Sequence, residues 1–562
     1  MRKMKIKKII SVISLIYILT TIIILQFNPF IFFATNDDGI FVSILENNLN
    51  FIGQNNLIYP SIIYGYFTKI LYNLFPLLQW HGFILLILVL VSFIRLTYEI
   101  LKLQINKFYI FIPVLMLYIQ FIYFVFTPNF SSAALYMGLI ACILFYISIL
   151  FKYKIYKTVI FYFLFSYLIR PDGFIFILYI AFPGFIYLLI QNIRNKSFKN
   201  SINFRWSLLL IAYIIDEAYQ KYLIMTSSVW NEYYKFINIF HEVDTNPSFL
   251  IMHQNIAAFK IPGLKWTNVE ATLLHQIAYL DPNIFNSKNL SLAVDSVYDH
   301  LGIRGMINAN FLGTLLRIWE YMTSVEYLFY ASIIILSILI IKLKNFRINL
   351  LFSLIYIFII FYFLGAVWRL PIRILLPIVF IIFIFLLVIS IIYVLENNWK
   401  NIILLTSITL FALFHLNQYG LKGQIQKSNI KYQEYKILTN KYKSLGNSSI
   451  FIGQIKYLDE NFTNAYIRGQ DLNTVHISSG WHNFTPYWYS NIKQLGIKTN
   501  PLLSLAELQN VYWVSDKYIS EVLDMYMNDR NIERQKICEI IKFEVNSGSI
   551  YSFSTKDIPC LN

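Results

Sequence analysis

The chain has 562 residues, a mean hydropathy of +0.56, 57% hydrophobic residues and only 14% charged residues. Soluble domains carry about 25% charged residues, so the composition excludes an ordinary soluble protein and indicates a polytopic membrane protein. The formal net charge is +16, but the lysines and arginines punctuate apolar runs as the positive-inside rule describes, so the charge does not indicate a nucleic-acid partner.

The N-terminal segment Met1–Lys8 is strongly basic and is followed by the apolar run Ile9–Phe33. This run is longer than the ~7–15-residue core of a signal peptide and lacks a clear small-x-small cleavage site. We therefore predict an uncleaved first transmembrane helix with a cytoplasmic N-terminus.

Further apolar runs approach the roughly 20 residues that a spanning helix needs. With the first, the predicted spans are Ile9–Phe33, His81–Leu101, Phe108–Phe126, Ser131–Phe151, Ile155–Ile169, Gly173–Ile190, Trp206–Met225, Tyr327–Ile341, Ile348–Gly365, Ile374–Val394 and Ile402–His415. Basic connectors alternate with connectors lacking Lys and Arg, which places the former in the cytoplasm and the latter outside. The alternation holds if Ser61–Pro76 is an interfacial or re-entrant helix; the alternative is a further span, which breaks it.

The predicted fold is an α-helical polytopic membrane protein of about eleven transmembrane helices with a small C-terminal extracytoplasmic α/β domain. Residues 1–416 form the membrane domain, with outer loops at 34–80 and 226–325, and residues 417–448 form a helical linker. Residues 449–562 form the α/β domain, in which Cys538 and Cys560 either pair or stay free. Its predicted strands are Ser449–Gly453, Thr474–Ser478, Asn510–Ser515, Ile537–Val545 and Ser549–Phe553, with helices at Tyr487–Leu495 and Lys517–Met527.

The first outer loop carries the adjacent carboxylates Asp37 and Asp38, preceded by Asn36. A carboxylate near an acceptor hydroxyl accepts its proton as that hydroxyl attacks an activated carbon. Two carboxylates could divide this task, one as base and one orienting the acceptor or a Mg²⁺ or Mn²⁺ ion. The alternative is a solvated turn, because Asn-Asp-Asp-Gly is also favourable turn chemistry.

Arginines on the predicted outer face form a second group of candidates. Arg170 lies in the turn Arg-Pro-Asp-Gly, and a guanidinium there would bind a phosphate bidentately, unless it only pairs with Asp172. Arg369 and Arg373 flank Pro371 at the start of an apolar run, and they either bind an anionic head group or merely extend to the interface.

The loop at 226–325 adds Trp230, Tyr233 and His241, whose rings would stack on a sugar or assist proton transfer. The alternative for each residue is a structural role. Inside the predicted span Trp206–Met225, Asp216, Glu217 and Lys221 are intramembrane candidates, and the spacing of Glu217 and Lys221 favours a local ion pair.

With these residues in place, the chain resembles the multispanning GT-C glycosyltransferases, closest to bacterial relatives of the protein mannosyltransferase and aminoarabinose transferase type. The resemblance rests on Asn36-Asp37-Asp38 in the first outer loop, the interfacial segment after it, the turn Arg170–Gly173, and a soluble domain after the last span. It implies inverting transfer from a polyprenyl-phosphate sugar on the outer face, with Asp37 or Asp38 as the base.

We therefore predict a plasma-membrane glycosyltransferase that moves a sugar from a polyprenyl-phosphate donor to a glycan, lipid or protein of the cell envelope. The alternatives are a polymerase or ligase acting on lipid-diphosphate oligosaccharides, a transporter or flippase of lipid-linked sugars, and a structural or sensor protein. Essential charges at mid-membrane, such as Asp216, would favour transport. The predicted partners are the lipid-linked donor, the acceptor and membrane lipids.

Overall fold

The fold comes from a computed structural model of the chain. It describes residues 2–28, 30–46, 56–103, 107–150, 156–194, 203–245, 266–275, 280–296, 313–316, 326–342, 372–393, 422–446, 449–454, 457–458, 462–468, 475–508, 510–529, 536–542 and 548–554, with single residues at 264, 299, 319 and 362. Arg369, Cys560 and the predicted spans 348–365 and 402–415 lie almost wholly outside these residues, and of Cys538 only the backbone is described.

Helices dominate the chain up to residue 393. They are α1 (Arg2–Phe27), α2 (Asn36–Glu46), α3 (Ile62–Leu74), α4 (Trp80–Lys102), α5 (Lys107–Phe126), α6 (Phe130–Leu150), α7 (Tyr156–Ile169), α8 (Pro171–Arg194), α9 (Asn203–Thr226), α10 (Ser228–Thr245), α11 (Asn268–His275), α12 (Glu326–Lys342) and α13 (Ile372–Tyr393). Within the described residues, four helices are long and apolar enough to cross a membrane: Lys8–Phe27, Trp80–Lys102, Phe130–Ser148 and Arg373–Ile391. The chain is therefore a helical protein with helices suited to membrane insertion, while the number of eleven spans stays a prediction.

Helix α6 is the centre of the bundle, because 94% of its apolar span is buried. It packs against α4, α7, α8 and α13. Small residues allow this close approach: a Cβ at Gly138 would lie 2.0 Å from Cδ1 of Ile177 on α8. Helices in membranes commonly pack through such small residues, since lipid supplies no hydrophobic force between them.

Helix α3 is the segment expected to lie at the interface. Its 13 residues extend for roughly 20 Å, against roughly 30 Å for the hydrocarbon core. At its start, Ser61 donates its backbone N–H to the carbonyl of Leu168 at the end of α7 (2.9 Å). Just beyond its end, the carbonyl of Pro76 accepts from Arg468 of the C-terminal region (2.6 Å). These dimensions agree with a helix that does not cross.

The C-terminal region contains a mixed sheet of five strands. Its elements are α14 (Lys422–Ser444), β1 (Ile450–Gln454), β2 (Val475–Ser479), α15 (Pro486–Gln494), α16 (Pro501–Glu507), β3 (Val511–Asp516), α17 (Lys517–Asp529), β4 (Lys536–Lys542) and β5 (Gly548–Ser554). The strand order is β2-β1-β3-β5-β4, with β1 parallel to β2 and β3, and with β5 antiparallel to β3 and β4. The predicted strands and helices are thus present, each within a few residues of its predicted bounds.

Helices cover both faces of this sheet. Alternate strand residues point to opposite faces, so Ile452 and Trp513 pack with α10 and α11, while Phe451 and Val514 pack with Tyr442 of α14. The described part of the loop at 226–325 therefore shares a hydrophobic core with the C-terminal domain, whereas the sequence analysis assigned that loop to the membrane domain.

Helix α14 also contacts the first outer loop. The ammonium of Lys431 donates to the carbonyl of Phe33 (3.2 Å) and lies over the ring of Phe32 at 5.5 Å. Burial lowers the pKa of Lys431 to about 8, and the nearby Glu434 partly opposes this effect. The predicted linker is therefore a packed helix that contacts both parts of the molecule.

The segment 462–468 attaches the C-terminal domain to the bundle. Ala465 donates its N–H to the carbonyl of Ile31 (2.8 Å), and the hydroxyl of Tyr466 donates to the carbonyl of Val125 (3.1 Å). Gly82 of α4 allows the closest contact, since a Cβ there would lie 1.7 Å from the carbonyl oxygen of Ala465.

Candidate functional site

The candidate site lies where several helices begin or end beside the C-terminal domain. The starts of α2, α4, α6 and α13 meet there, together with the turn between α7 and α8. These are the connectors that charge assigned to one side of the membrane, and the contacts below join them directly.

Asp38 is fully buried, and both of its carboxylate oxygens accept hydrogen bonds from other residues of the chain. Its Oδ1 accepts from Nε2 of His81 (2.9 Å) and from the backbone N–H of Phe130 (3.0 Å), and its Oδ2 accepts from the hydroxyl of Thr35 (2.5 Å). His81 is in turn bonded through Nδ1 to the hydroxyl of Tyr64 (2.8 Å). The Asp38 carboxylate lies beside the N-terminus of α6, where the positive end of the helix dipole favours a negative charge. Asp38 therefore joins three helix starts and is less accessible to a substrate than its neighbour, and its catalytic role stays a prediction.

Asp37 points the other way and is partly exposed, with 13% of its side chain accessible. Its Oδ1 accepts from the indole Nε1 of Trp481 (2.8 Å), and its Oδ2 lies 3.4 Å from the guanidinium of Arg373. Of the two adjacent carboxylates, Asp37 is the one that a substrate can reach.

Arg170 occupies the turn between α7 and α8. Its guanidinium donates to the hydroxyl of Ser131 and lies over the ring of Phe130 at 5.1 Å. Burial, and then the positive charge of Arg373, lower the pKa of Arg170, while the charges of Asp172 and Asp37 oppose the shift. Among the described contacts, Arg170 and Asp172 form no hydrogen-bonded ion pair. Asp172 is exposed in the first turn of α8.

Arg373, at the start of α13, has unused hydrogen-bonding capacity. One terminal nitrogen faces Asp37, while its buried Nε has no hydrogen-bond partner among the described residues. Its carbonyl accepts from the hydroxyl of Ser132 (2.7 Å), which fixes the start of α13 against α6. Arg373 therefore faces the accessible carboxylate of Asp37, while the charges of Asp172 and Asp37 both act on Arg170.

Aromatic rings form a wall beside these charges. Trp481 lies 5.0 Å from Tyr59 and 5.7 Å from Phe41 between ring centroids, and Phe41 lies 5.0 Å from Phe130. The hydroxyl of Tyr59 is bonded to Nε2 of His241 (3.2 Å), which brings the end of α10 to the site. The predicted residues Asp37, Arg170, Arg373 and His241 are thereby brought into one region.

Other predicted residues lie elsewhere. Trp230 and Tyr233 are each 1% exposed and belong to the core between α10 and the sheet. Tyr233 supports the site indirectly, because its hydroxyl donates to the carbonyl of Trp481 (2.9 Å). Both rings are buried in this core, and their stacking on a substrate stays a prediction. Asn36, half-buried at the start of α2, has no described side-chain contact.

Asp216 has a local structural role. Its Oδ1 accepts from the hydroxyl of Ser61 (2.9 Å) and the N–H of Ile62 (3.0 Å), and its Oδ2 accepts from the hydroxyl of Tyr167 (2.7 Å). It therefore caps the start of α3, as short polar side chains do at helix N-termini. The expected ion pair between Glu217 and Lys221 is not among the described contacts, so that expectation was wrong for these residues.

A shared divalent ion does not fit the two adjacent carboxylates, because both oxygens of Asp38 are held by protein donors and Asp37 faces away. Among the described residues, no three His, Cys, Asp or Glu side chains lie close enough together to hold a metal ion.

Two contributors to the site escaped the sequence analysis. Trp481 is separated from Asp37 by 444 positions. The available signal for Trp481 was its position in the turn after a predicted strand, because ligands commonly bind beyond the carboxyl ends of parallel strands. His81 was included in a predicted span, and its position at the outer end of that span was the available signal.

No protein-family model, no curated protein and no solved structure matches this chain. The fold and the site therefore support only a general class: a helical protein with apolar helices suited to a membrane, a small mixed sheet, and a charged aromatic site where the two meet.

Proposed function

We propose that the protein is a membrane glycosyltransferase that transfers a sugar from a polyprenyl-phosphate donor to an acceptor of the cell envelope. The observation that carries the proposal is the pairing of one accessible carboxylate, Asp37, with two arginines, Arg170 and Arg373, at the ends of apolar helices. The resemblance to GT-C glycosyltransferases in the first-loop carboxylate supports the same reading. On this proposal the site faces the outside of the plasma membrane and the N-terminus is cytoplasmic.

The two arginine side chains suit a phosphate next to the membrane. Guanidinium groups bind phosphate bidentately, and the buried Nε of Arg373 is a donor without a partner among the described residues. A donor lipid would place its chain along the apolar helices and its phosphate between Arg170 and Arg373. Its sugar would then lie against Trp481 and Tyr59, because aromatic rings stack on the apolar faces of sugars.

The chemistry requires one base and one stabilised leaving group. The acceptor hydroxyl attacks the anomeric carbon, and its proton passes to the carboxylate of Asp37. The bond between that carbon and the phosphate oxygen breaks, and polyprenyl phosphate leaves with the electron pair, where the arginines stabilise its charge. The indole N–H of Trp481 would keep Asp37 oriented toward the hydroxyl.

The test is the envelope glycan composition of cells that lack the native protein and express variants of it. Asp37→Asn should remove one sugar substituent and let the lipid-linked donor accumulate. Glu521→Gln, which changes an exposed carboxylate on α17, is the matched control and should leave the glycans unchanged. Normal glycans in Asp37→Asn cells would contradict the proposal.

A second candidate function is a polymerase or ligase that uses lipid-diphosphate oligosaccharides. The two arginines favour it, because a diphosphate leaving group carries more negative charge. Accumulation of lipid-linked oligosaccharides in Arg170→Ala or Arg373→Ala cells, rather than of a monosaccharide lipid, would support this candidate.

A further inference from the structure

A cleft of about 240 Å³ opens between the C-terminal domain and the described part of the loop at 226–325, and neither Arg170 nor Arg373 lines it. It lies between the first turns of α10, the segment that follows residue 281, and α15. The residues that define it are Ser228, Glu232, Phe236, Phe285, Phe484 and Tyr489. Its volume is of the order of one sugar ring.

The cleft has an aromatic floor and a polar rim. Phe236, Phe285 and Phe484 are almost fully buried and form the floor, whereas Ser228 and Glu232 are exposed at the rim. One oxygen of Glu232 accepts from the hydroxyl of Ser287 (2.5 Å), which orients the carboxylate at the edge. Burial raises the pKa of Tyr489 to about 12, and the charge of Glu232 adds to this, so the phenol is a neutral hydrogen-bond donor beside a carboxylate.

The backbone at Phe484 is held in an unusual conformation. Its φ is +66°, in the left-handed region that bulky side chains rarely adopt. Contacts stabilise it, with Phe236 at 5.2 Å and Trp488 at 5.3 Å between ring centroids. Backbone strain of this kind is retained where the surrounding structure determines it, often beside ligands.

The same turn links the cleft to the candidate site. Phe484 and Trp481 belong to the turn after β2, and Trp481 donates to Asp37. Tyr233 lines the cleft with its ring, and its hydroxyl donates to the carbonyl of Trp481. A molecule in the cleft would therefore contact Tyr233, which is hydrogen-bonded to the residue that orients the carboxylate.

We propose that this cleft binds a neutral sugar residue of the acceptor glycan, and the inference rests on the proposed function. The negative charge of Glu232 disfavours an anion in this cleft. In this respect the cleft differs from the region around the two arginines, which suits the donor phosphate. A carboxylate and a phenol beside aromatic rings provide the hydrogen bonds and the apolar surface that a sugar ring requires. The acceptor would be held in the domain while its next hydroxyl reaches Asp37.

The test measures binding without any transfer. Polysaccharide extracted from the envelope of cells lacking this protein is mixed with the full-length protein in nanodiscs, and saturation transfer to sugar protons is recorded by NMR. We expect a signal with the wild type, and a decrease of at least about fivefold with Ser228→Trp, which fills the cleft, and with Glu232→Gln. The matched control is Glu521→Gln, an exposed carboxylate on α17 that should leave the signal unchanged.

The outcomes separate the cleft from the catalytic proposal. The absence of any sugar signal with the wild type, an unchanged signal with Ser228→Trp, or displacement of the sugar by tetramethylammonium would each overturn the inference. Asp37→Asn should bind the polysaccharide normally. If Asp37→Asn cells retain normal glycans while binding still depends on the cleft, the proposed chemistry fails and the sugar site stands.

Discussion

At the scale of single residues, Asp37 and Asp38 show how adjacent carboxylates acquire different roles. Helical geometry turns successive side chains by about 100°, so the first residues of α2 point into different surroundings. Asp38 meets His81 and the start of α6 in the interior, while Asp37 meets Trp481 and Arg373 at the edge. Composition and turn chemistry treat the two residues alike, which is why the sequence predicted the pair but not the division between them.

This division predicts that Asp38→Asn destabilises the protein. In this variant the new amide NH₂ group would face a donor from His81, Thr35 or Phe130, so two donors would meet and one would stay unpaired. A buried polar group left unpaired costs about 1–3 kcal/mol. We expect a lower melting temperature and less folded protein for Asp38→Asn, and a normal melting temperature for Asp37→Asn. Equal melting temperatures for Asp38→Asn and the wild type would show that the buried network does not support the fold.

Trp481 carries a prediction about positioning. Trp481→Phe keeps the ring but removes the N–H bonded to Asp37, and a hydrogen bond to a charged group contributes about 1.5–3 kcal/mol. If Asp37 is the base, kcat should fall about tenfold or more, with little change in the KM for the donor. A changed KM with an unchanged kcat would assign Trp481 to binding and not to orientation of the carboxylate.

At the scale of elements, local pattern predicted what local physics determines. The five strands and two of the helices between them follow from alternating apolar residues and turn residues, and they were predicted within a few positions, whereas the short helix Pro501–Glu507 was not predicted. The contacts that build the site join segments far apart in the chain, such as Ala465 with Ile31 and Trp481 with Asp37. No periodicity encodes such pairs, so the burial of Trp230 and the hydrogen bond between Trp481 and Asp37 could not be predicted from local pattern.

The contact between α4 and the segment 462–468 predicts an unusual effect of Gly82→Ala. In an isolated helix this change is stabilising by up to about 1 kcal/mol. Here the new Cβ would meet the carbonyl oxygen of Ala465 at 1.7 Å, and overpacking costs about 1–3 kcal/mol. We expect faster proteolysis within the C-terminal domain and a lower melting temperature, whereas a higher melting temperature would contradict the docking of this segment.

At the scale of the whole molecule, the C-terminal domain and the described part of the loop at 226–325 share one hydrophobic core, so we expect them to unfold together. Two buried histidines give this unit a pH dependence. Burial lowers the pKa of His476 to about 3 and that of His482 to about 4, from an ordinary value of 6.5. Below pH 6.5 the unfolded chain takes up protons that the folded domain refuses, so stability is lost as the pH falls toward 4.

A shift such as that of His482 corresponds to about 3 kcal/mol between neutral and acidic pH. Melting followed by tryptophan fluorescence from pH 7.5 to 4.5 should show a steep decrease for the wild type. His482→Asn cannot take up this proton, so its melting temperature should fall less over the same range. Parallel curves for the two proteins would mean that His482 is not buried in its neutral form.

The central claim is that Asp37, facing Arg170 and Arg373 at the membrane boundary, is the base of a sugar transfer. The most direct measurement is mass spectrometry of envelope glycans and lipid-linked sugars in cells that lack the native protein and express Asp37→Asn or Glu521→Gln at equal levels. The account predicts loss of one sugar substituent and accumulation of its polyprenyl-phosphate donor with Asp37→Asn alone. Wild-type glycans and no accumulated donor in the Asp37→Asn cells, with the variant folded in the membrane, would contradict it.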